Sequence, residues 1–188
     1  MSNQENASAT LEEKKEAPAE QPPQPQEKKV EEKPFNSEDY LVKPHRKKSR
    51  EVQESDVERI LTDAKIMLRI CRLPVGVKEG GLALAHAQID DKDPLRFFIL
   101  REGAIVINPV LMRHTSYPVP KPEGCLSYPW ERKDALVGRF HKITIEYQTL
   151  TKDKKLSEKM TMNLKGLAAE IAQHEIDHMN AIYIYDNQ

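Results

Sequence analysis

His174 and His178 stand four residues apart, with Glu175 directly after the first, in the run His174-Glu175-Ile176-Asp177-His178. On a helix this H-E-x-x-H spacing puts both imidazoles on one face, one turn apart, where two nitrogens can chelate a single divalent metal. Glu175 is then placed to act as base toward a water on that metal. The flanking residues support a helix. Leu164, Leu167, Ala168, Ile171 and His178 recur at three- and four-residue intervals, with Met179 and Ile182 close by. The histidines therefore fall on or beside the buried stripe, where a polar group without a partner is costly. They must be ligated or hydrogen-bonded, and two core histidines satisfied by carbonyls are the alternative to a metal pair.

A third ligand would decide the class. Zinc peptidases with this motif take theirs downstream, from a Glu or from a further His. After His178 the sequence offers no third histidine, and its one carboxylate is Asp186, so the ligand is expected upstream. The soft candidate is Cys125 in Glu123-Gly124-Cys125-Leu126-Ser127. A thiolate with two imidazoles leaves a fourth position open for water. An ordinary buried thiol is the alternative for Cys125.

A third stretch, Gly81-Leu82-Ala83-Leu84-Ala85-His86-Ala87-Gln88, precedes these two. Its small residues at 81, 83, 85 and 87 predict a strand with one face stripped of bulk, so that another backbone or a ligand can approach. Gln88 at its end could donate to a carbonyl oxygen gaining charge. Taken in order, the three stretches resemble the motifs of the peptide deformylase family. Ile107-Asn108-Pro109, Leu136-Val137-Gly138-Arg139 and Ile184-Tyr185-Asp186 are weaker echoes. The resemblance covers about Ser55 to Asp186.

It implies a metal-dependent hydrolase that removes the formyl group from N-formylmethionyl peptides of newly made proteins and releases formate. It further implies Cys125, His174 and His178 as metal ligands and Glu175 as general base. Gln88 and the Leu126 backbone N–H would hold the developing oxyanion, and Leu82, Leu167 and Ile171 would line an apolar pocket for the Met side chain. Arg139 is the implied partner of Glu123. Two imidazoles and a thiolate suit Zn²⁺, Fe²⁺, Co²⁺ or Ni²⁺; the resemblance favours Fe²⁺. Two positions depart from the family: Ala83 replaces a usual glycine and could narrow the groove, and His86 replaces a small residue. His86 could be a satisfied core histidine, a substrate contact or a competing ligand. The family's substrate-binding arginine has no clear counterpart, because the segment between Pro129 and Ala135 is longer than the family pattern; Arg132 and Lys133 are both candidates.

The elements that would position these groups follow from the rest of the 188 residues. A hydrophobic content of 38% and a mean hydropathy of −0.69 are low for a chain folded throughout. The deficit sits at the start. Residues 1–50 read as a disordered Pro/Glu/Lys-rich tail with a basic end (Lys43, His45, Arg46, Lys47, Lys48, Arg50), and 51–188 as the catalytic domain. The tail lacks the apolar core of a secretory signal and is too acidic for a transit peptide. The basic block is either a solvated linker or a tether to RNA or an acidic partner, and the resemblance suggests the ribosome. A net charge of −1 implies no nucleic-acid or membrane partner from bulk charge, and no apolar run could span a bilayer. Two cysteines make no disulfide framework, which fits a reducing cytoplasm.

Ser55 and Glu58 have the spacing of a capping box, so a helix is expected from Ser55 to about Arg72, with Cys71 on its apolar face. Phe97–Leu100 and Ala104–Ile107 read as strands joined by a turn at 101–103, with Asn108-Pro109 closing the second. The prolines at 118, 120 and 122 force an extended path into Glu123. Residues 143–147 and 159–162 read as a hairpin, and Asn163 as the cap of the metal helix. The expected fold class is α+β: antiparallel strands packed around a buried metal-binding helix, with a disordered N-terminal tail. A catalytically weak deformylase-like binding protein and a zinc metallopeptidase are the alternative functions.

Overall fold

A 3-10 turn at Ser37–Asp39 precedes the first long helix. The computed structural model describes residues 34–186, and the predicted tail up to residue 33 lies outside the described residues. Helix α1 spans Val57–Arg72 and buries Val57, Ile60, Met67, Ile70 and Cys71. Burial pushes the Cys71 thiol up to about 12, so this cysteine belongs to the core. The cap is not the predicted Ser55–Glu58 box. A 3-10 turn at Glu54–Asp56 comes first, and the Asp56 carboxylate accepts the Gln53 N–H at 2.8 Å. Arg50 grips the same carboxylate through two bonds of 2.8 Å. Arg50, six residues before it, holds Asp56 in place as the acceptor, a contact that the S-x-x-E spacing does not register.

The strands are β1 (Ala83–Ala85), β2 (Phe97–Leu100), β3 (Ile105–His114), β4 (Val119–Glu123), β5 (Ala135–Arg139), β6 (Lys142–Gln148) and β7 (Met160–Lys165), followed by helix α2 (Leu167–Met179). Five form one antiparallel sheet in the order β1-β2-β3-β6-β7, and β4 pairs with β5 in a separate two-stranded sheet. Strand alternation sends neighbouring residues to opposite faces. Leu84, Phe97, Ile99 and Ile107 pack in the cluster of α1, while Ala85, Phe98, Val106 and Ile145 pack in the cluster of α2. The class is α+β, as expected.

Three local expectations give way. Asn108 does not close β3: it takes φ 50°, tolerated by Asn, and the strand continues past an irregularity to His114. The Asn108 amide then accepts the Val52 N–H and donates to Val52 O and Gln148 Oε1. The predicted strand over 81–88 is cut to Ala83–Ala85, because residues His86–Gln88 curl into a 3-10 turn. Asn163 does not cap α2; it lies in β7 and accepts the Thr144 hydroxyl, while Gly166, at φ 57°, turns the chain into the helix. The buried face of α2 is also rotated from the predicted stripe. Ala169, Ala172, Gln173, Glu175, Ile176, His178 and Met179 are buried, whereas Leu167 is 61% exposed.

The compact unit runs Phe35–Gln188, and residues 35–50 pack within it. His45 Nε2 hydrogen-bonds with Ala87 O at 2.9 Å, and the His45 N–H donates to Tyr183 Oη at 3.0 Å. Arg46 pairs with Asp186, and Arg50 also holds Asp93. These polar residues read as solvated because their partners lie far away in sequence.

Arg50 and the Gln53 N–H hold the Asp56 carboxyl below its ordinary range: the Arg50 bonds are the largest cause, and burial opposes them. A lowered carboxylate stabilises the fold at pH values above the unfolded-state pKa, and that contribution is lost as pH falls through the folded value. Asp56→Ala should therefore cost about 1–2 kcal/mol at pH 7 in urea unfolding. The gap to the parent protein should close below the ordinary carboxylate range.

Candidate functional site

β4 and its continuation lie on α2 in matched steps. Two residues along a strand advance about 6.7 Å, and four along a helix about 6 Å. Residues 121, 123 and 125 therefore face residues 170, 174 and 178. Lys121 Nζ meets Glu170 Oε1 at 3.1 Å. Glu123 Oε2 meets His174 Nδ1 at 2.9 Å. Cys125 Sγ meets His178 Nε2 at 3.2 Å. The register of one strand on one helix thus delivers three different chemistries in a row.

Glu123 is the fixed point of this ladder. Buried Arg139, at the end of β5, sets its Nε 2.6 Å from Glu123 Oε1 and its Nη2 2.9 Å from Oε2, and its third nitrogen donates to Asp177. Burial would raise the Glu123 carboxyl, but Arg139 and His174 overcome it and hold the group at about 2. A carboxylate on Nδ1 orients the His174 ring and leaves Nε2 for the site interior. That Nε2 lies 3.1 Å from His178 Nε2. The ligand atoms of Cys125, His174 and His178 all lie within 4.8 Å of one another. The two histidines therefore turn toward a thiol and each other, not toward carbonyls as in the core-histidine alternative.

Electrostatics favour the thiolate. Burial alone would push the Cys125 thiol up, yet His178 and His174 draw it well below its usual value. Burial opposes a charge on His174, and Cys125 and Glu123 reverse that. The Ser127 N–H points at Sγ from 3.4 Å. Glu175 is buried, which raises its carboxyl, and its Oε2 has no hydrogen-bond partner among the described residues. One thiolate, two convergent imidazole nitrogens and an orphaned carboxylate oxygen fit a divalent ion with an attached water.

Gln88 reaches the same place from the 3-10 turn. Its Oε1 accepts the Ala85 N–H at 3.0 Å, and its Nε2 donates to Ser127 Oγ at 3.1 Å and approaches Cys125 Sγ at 3.7 Å. The turn separates Gln88 from His86, which the strand expectation put on the same face. His86 is buried in the core, where Nδ1 accepts the Leu95 N–H and Nε2 meets Asp63, each at 3.0 Å. It is the satisfied core histidine, and neither a ligand nor a substrate contact.

A groove of about 330 Å³ runs over these groups. Gln88, Cys125, Leu126, His174 and Glu175 line it, as do Leu82, Leu167 and Ile171. The one sequence-derived ligand that does not line it is His178, buried behind Cys125 with the ring of Tyr183 edge-on at 5.2 Å. Gly81 permits the close approach across the groove: a Cβ there would stand 2.9 Å from the Leu126 side chain. Arg132 and Lys133 are exposed. The groove instead receives Lys78 and Asp134, which flank Gly124. Ser127, Asp177, Tyr183 and Lys78 went unassigned in the sequence. Only Asp177 had a local signal, three residues from His174 on the helix.

Comparison with known proteins identifies the family and the fold. The polypeptide deformylase family model matches residues 39–188. A peptide deformylase of Macrococcus caseolyticus is 34% identical over 118 residues, spanning 57% of this chain and 60% of that protein. The chain thus spans about 60% of the length of the curated relatives it matches. Among solved structures, a PDF from the Vibrio parahaemolyticus bacteriophage VP16T, in complex with actinonin, is 31% identical with a TM-score of 0.61, covering 77% of this chain and 98% of that one. Peptide deformylase from Thermotoga maritima is 28% identical with the same TM-score, covering 75% and 88%.

Removing Arg139 strands Glu123 and Asp177 against each other. Arg139→Met should lower the unfolding free energy by about 3–5 kcal/mol in denaturant titration. Arg139→Lys, which keeps the charge but not the fork, should lose less.

Proposed function

The chain belongs to the polypeptide deformylase family, and from this premise we propose that it hydrolyses the formamide of N-formylmethionyl peptides on newly made proteins, releasing formate. The observation that carries the proposal is the convergence of Cys125 Sγ with the Nε2 atoms of His174 and His178 beside a groove lined by Gln88 and Glu175.

We assign Cys125, His174 and His178 as ligands of one divalent ion. Bound there, the ion would supply a Lewis acid and an acidified water. The donor set is compatible with Zn²⁺, Ni²⁺ or Co²⁺; the family resemblance favours Fe²⁺. The protein's own groups do the rest. Glu175 takes a proton from the attacking water, and its raised carboxyl is suited to hold it. The water oxygen bonds to the formyl carbon. Gln88 Nε2 and the Leu126 backbone N–H donate to the carbonyl oxygen as it gains charge. When the C–N bond breaks, Glu175 returns the proton to the leaving amine. Leu82, Leu167 and Ile171 receive the Met side chain.

The 43–50 block is proposed to dock at the ribosome, but Arg46 and Arg50 already hold Asp186, Asp56 and Asp93. The contact would therefore rest chiefly on exposed Lys43 and Lys48. Among the described residues no helix is long and apolar enough to cross a membrane. The free thiols of Cys71 and Cys125 suit a reducing cytoplasm.

The test is formate release from formyl-Met-Ala-Ser by anaerobically purified, Fe²⁺-loaded protein. Glu175→Gln should lower kcat about 10²–10⁴-fold while retaining one metal per chain. Cys125→Ala should lose the metal itself. Gln88→Ala should keep metal and cost about 3–4 kcal/mol in barrier. A metal-replete protein that leaves every formyl peptide intact would sink the proposal.

A further inference from the structure

The outermost rung of the ladder faces the groove. Glu170 lies on α2 three residues after Leu167, directly before Ile171 and one turn before His174, and its side chain lines the same cavity as Leu82, Leu167 and Ile171. Its carboxylate is 17% exposed and is held by Lys121, itself 34% exposed, at 3.1 Å. Glu170 thus puts a paired carboxylate on the wall beside the aliphatic Leu82, Leu167 and Ile171, with Lys121 reaching it from β4, and this has a physical consequence. An incoming side chain displaces the water around it, and a purely apolar occupant leaves both charges with poorer partners than they had.

We infer that the Lys121–Glu170 pair is a specificity determinant, making the side-chain pocket accept unbranched residues of Met length that end in an uncharged hydrogen-bonding group, with glutamine as the type case. The inference rests on the deformylase reading and deepens it. A carboxamide matches the pair in both senses: its N–H donates to Glu170, and its oxygen accepts from Lys121. An ammonium end would gain Glu170 but crowd Lys121, and a carboxylate end the reverse, so a charged end uses only half of the pair and leaves the other half facing a like charge. The aliphatic walls accept the methylenes of Met and Gln alike. A site that offers buried polar groups discriminates against an occupant unable to use them more strongly than an apolar wall discriminates by size.

The experiment compares kcat/KM for formyl-Met-Ala-Ser, formyl-norleucyl-Ala-Ser, formyl-Gln-Ala-Ser and formyl-Lys-Ala-Ser in the Fe²⁺-loaded full chain. The unaltered protein should process the Gln peptide within about tenfold of the Met peptide and reject the Lys peptide. In a Lys121→Met/Glu170→Met double variant the Met-to-Gln and norleucine-to-Gln ratios should each rise at least about tenfold. Glu170→Gln, which keeps the shape, should move them part of the way and serves if the double variant fails to fold. If the pair only docks β4 on α2, the variants lose thermal stability while the ratios stay put. That result, or strong rejection of Gln by the unaltered protein, overturns the inference and leaves deformylation standing. No turnover of any of the four peptides by metal-replete protein overturns both.

Discussion

The site depends on one buried carboxylate. Glu123 is held by Arg139 on one side and holds His174 on the other. A carboxylate taken from water is costly, and the forked guanidinium compensates it with charge and two directed hydrogen bonds. Because Arg139 closes β5 and also reaches Asp177 of α2, the same cation ties the small sheet to the helix. With Glu123 fixed, the strand can meet the helix in only one register, and Cys125 must arrive beside His178. The proposed metal ligands are thus positioned by an ion-pair network built on Glu123 and Arg139, so ordering them would cost little further entropy.

How much of this was readable in advance varies with distance along the chain. The histidine pair, the thiol and Gln88 lie in short runs whose spacing carries the chemistry. The Phe97–Leu100 and Ile105–Ile107 strands announce themselves by apolar runs about a three-residue turn. The misreadings arise where a partner outside the local motif overrides a local preference. Ser55 and Glu58 have ideal cap spacing, yet it is Asp56 that takes the Gln53 N–H, with Arg50 gripping the same carboxylate. Asn163 could cap a helix, but strand pairing with Thr144 claims it. Residues 35–50 look solvated by composition, and their His45, Arg46 and Arg50 are anchored by groups on β-sheet loops and beyond α2.

The rotation of α2 has the same origin. Sequence periodicity counts Leu167 and Ile171 as core and treats Gln173 and Glu175 as polar. The fold instead buries the polar pair and leaves Leu167 exposed with Ile171 only partly buried, because the polar pair has buried work. Gln173 bridges the Phe140 backbone, accepting its N–H and donating to its carbonyl at 2.9 Å each, and Glu175 sits in the site. The displaced leucine and isoleucine become groove walls. Binding surfaces are where local pattern and global packing part company, since a pocket must keep apolar side chains away from the core that would otherwise absorb them.

The turn at His86–Gln88 keeps a bulky side chain out of the groove. A bulky imidazole in a small-residue run would obstruct the groove if the run stayed extended, since His86 and Gln88 would then project together. Curling into a 3-10 turn separates the two side chains. His86 goes inward to Asp63 and the Leu95 N–H, and Gln88 is left pinned by the Ala85 N–H with its amide nitrogen toward Ser127 and Cys125. The histidine thereby anchors α1, which carries Asp63, to the segment that presents Gln88. What reads as an intrusion into the motif is a brace behind it, and the donor geometry at the groove depends on the core contact at its back.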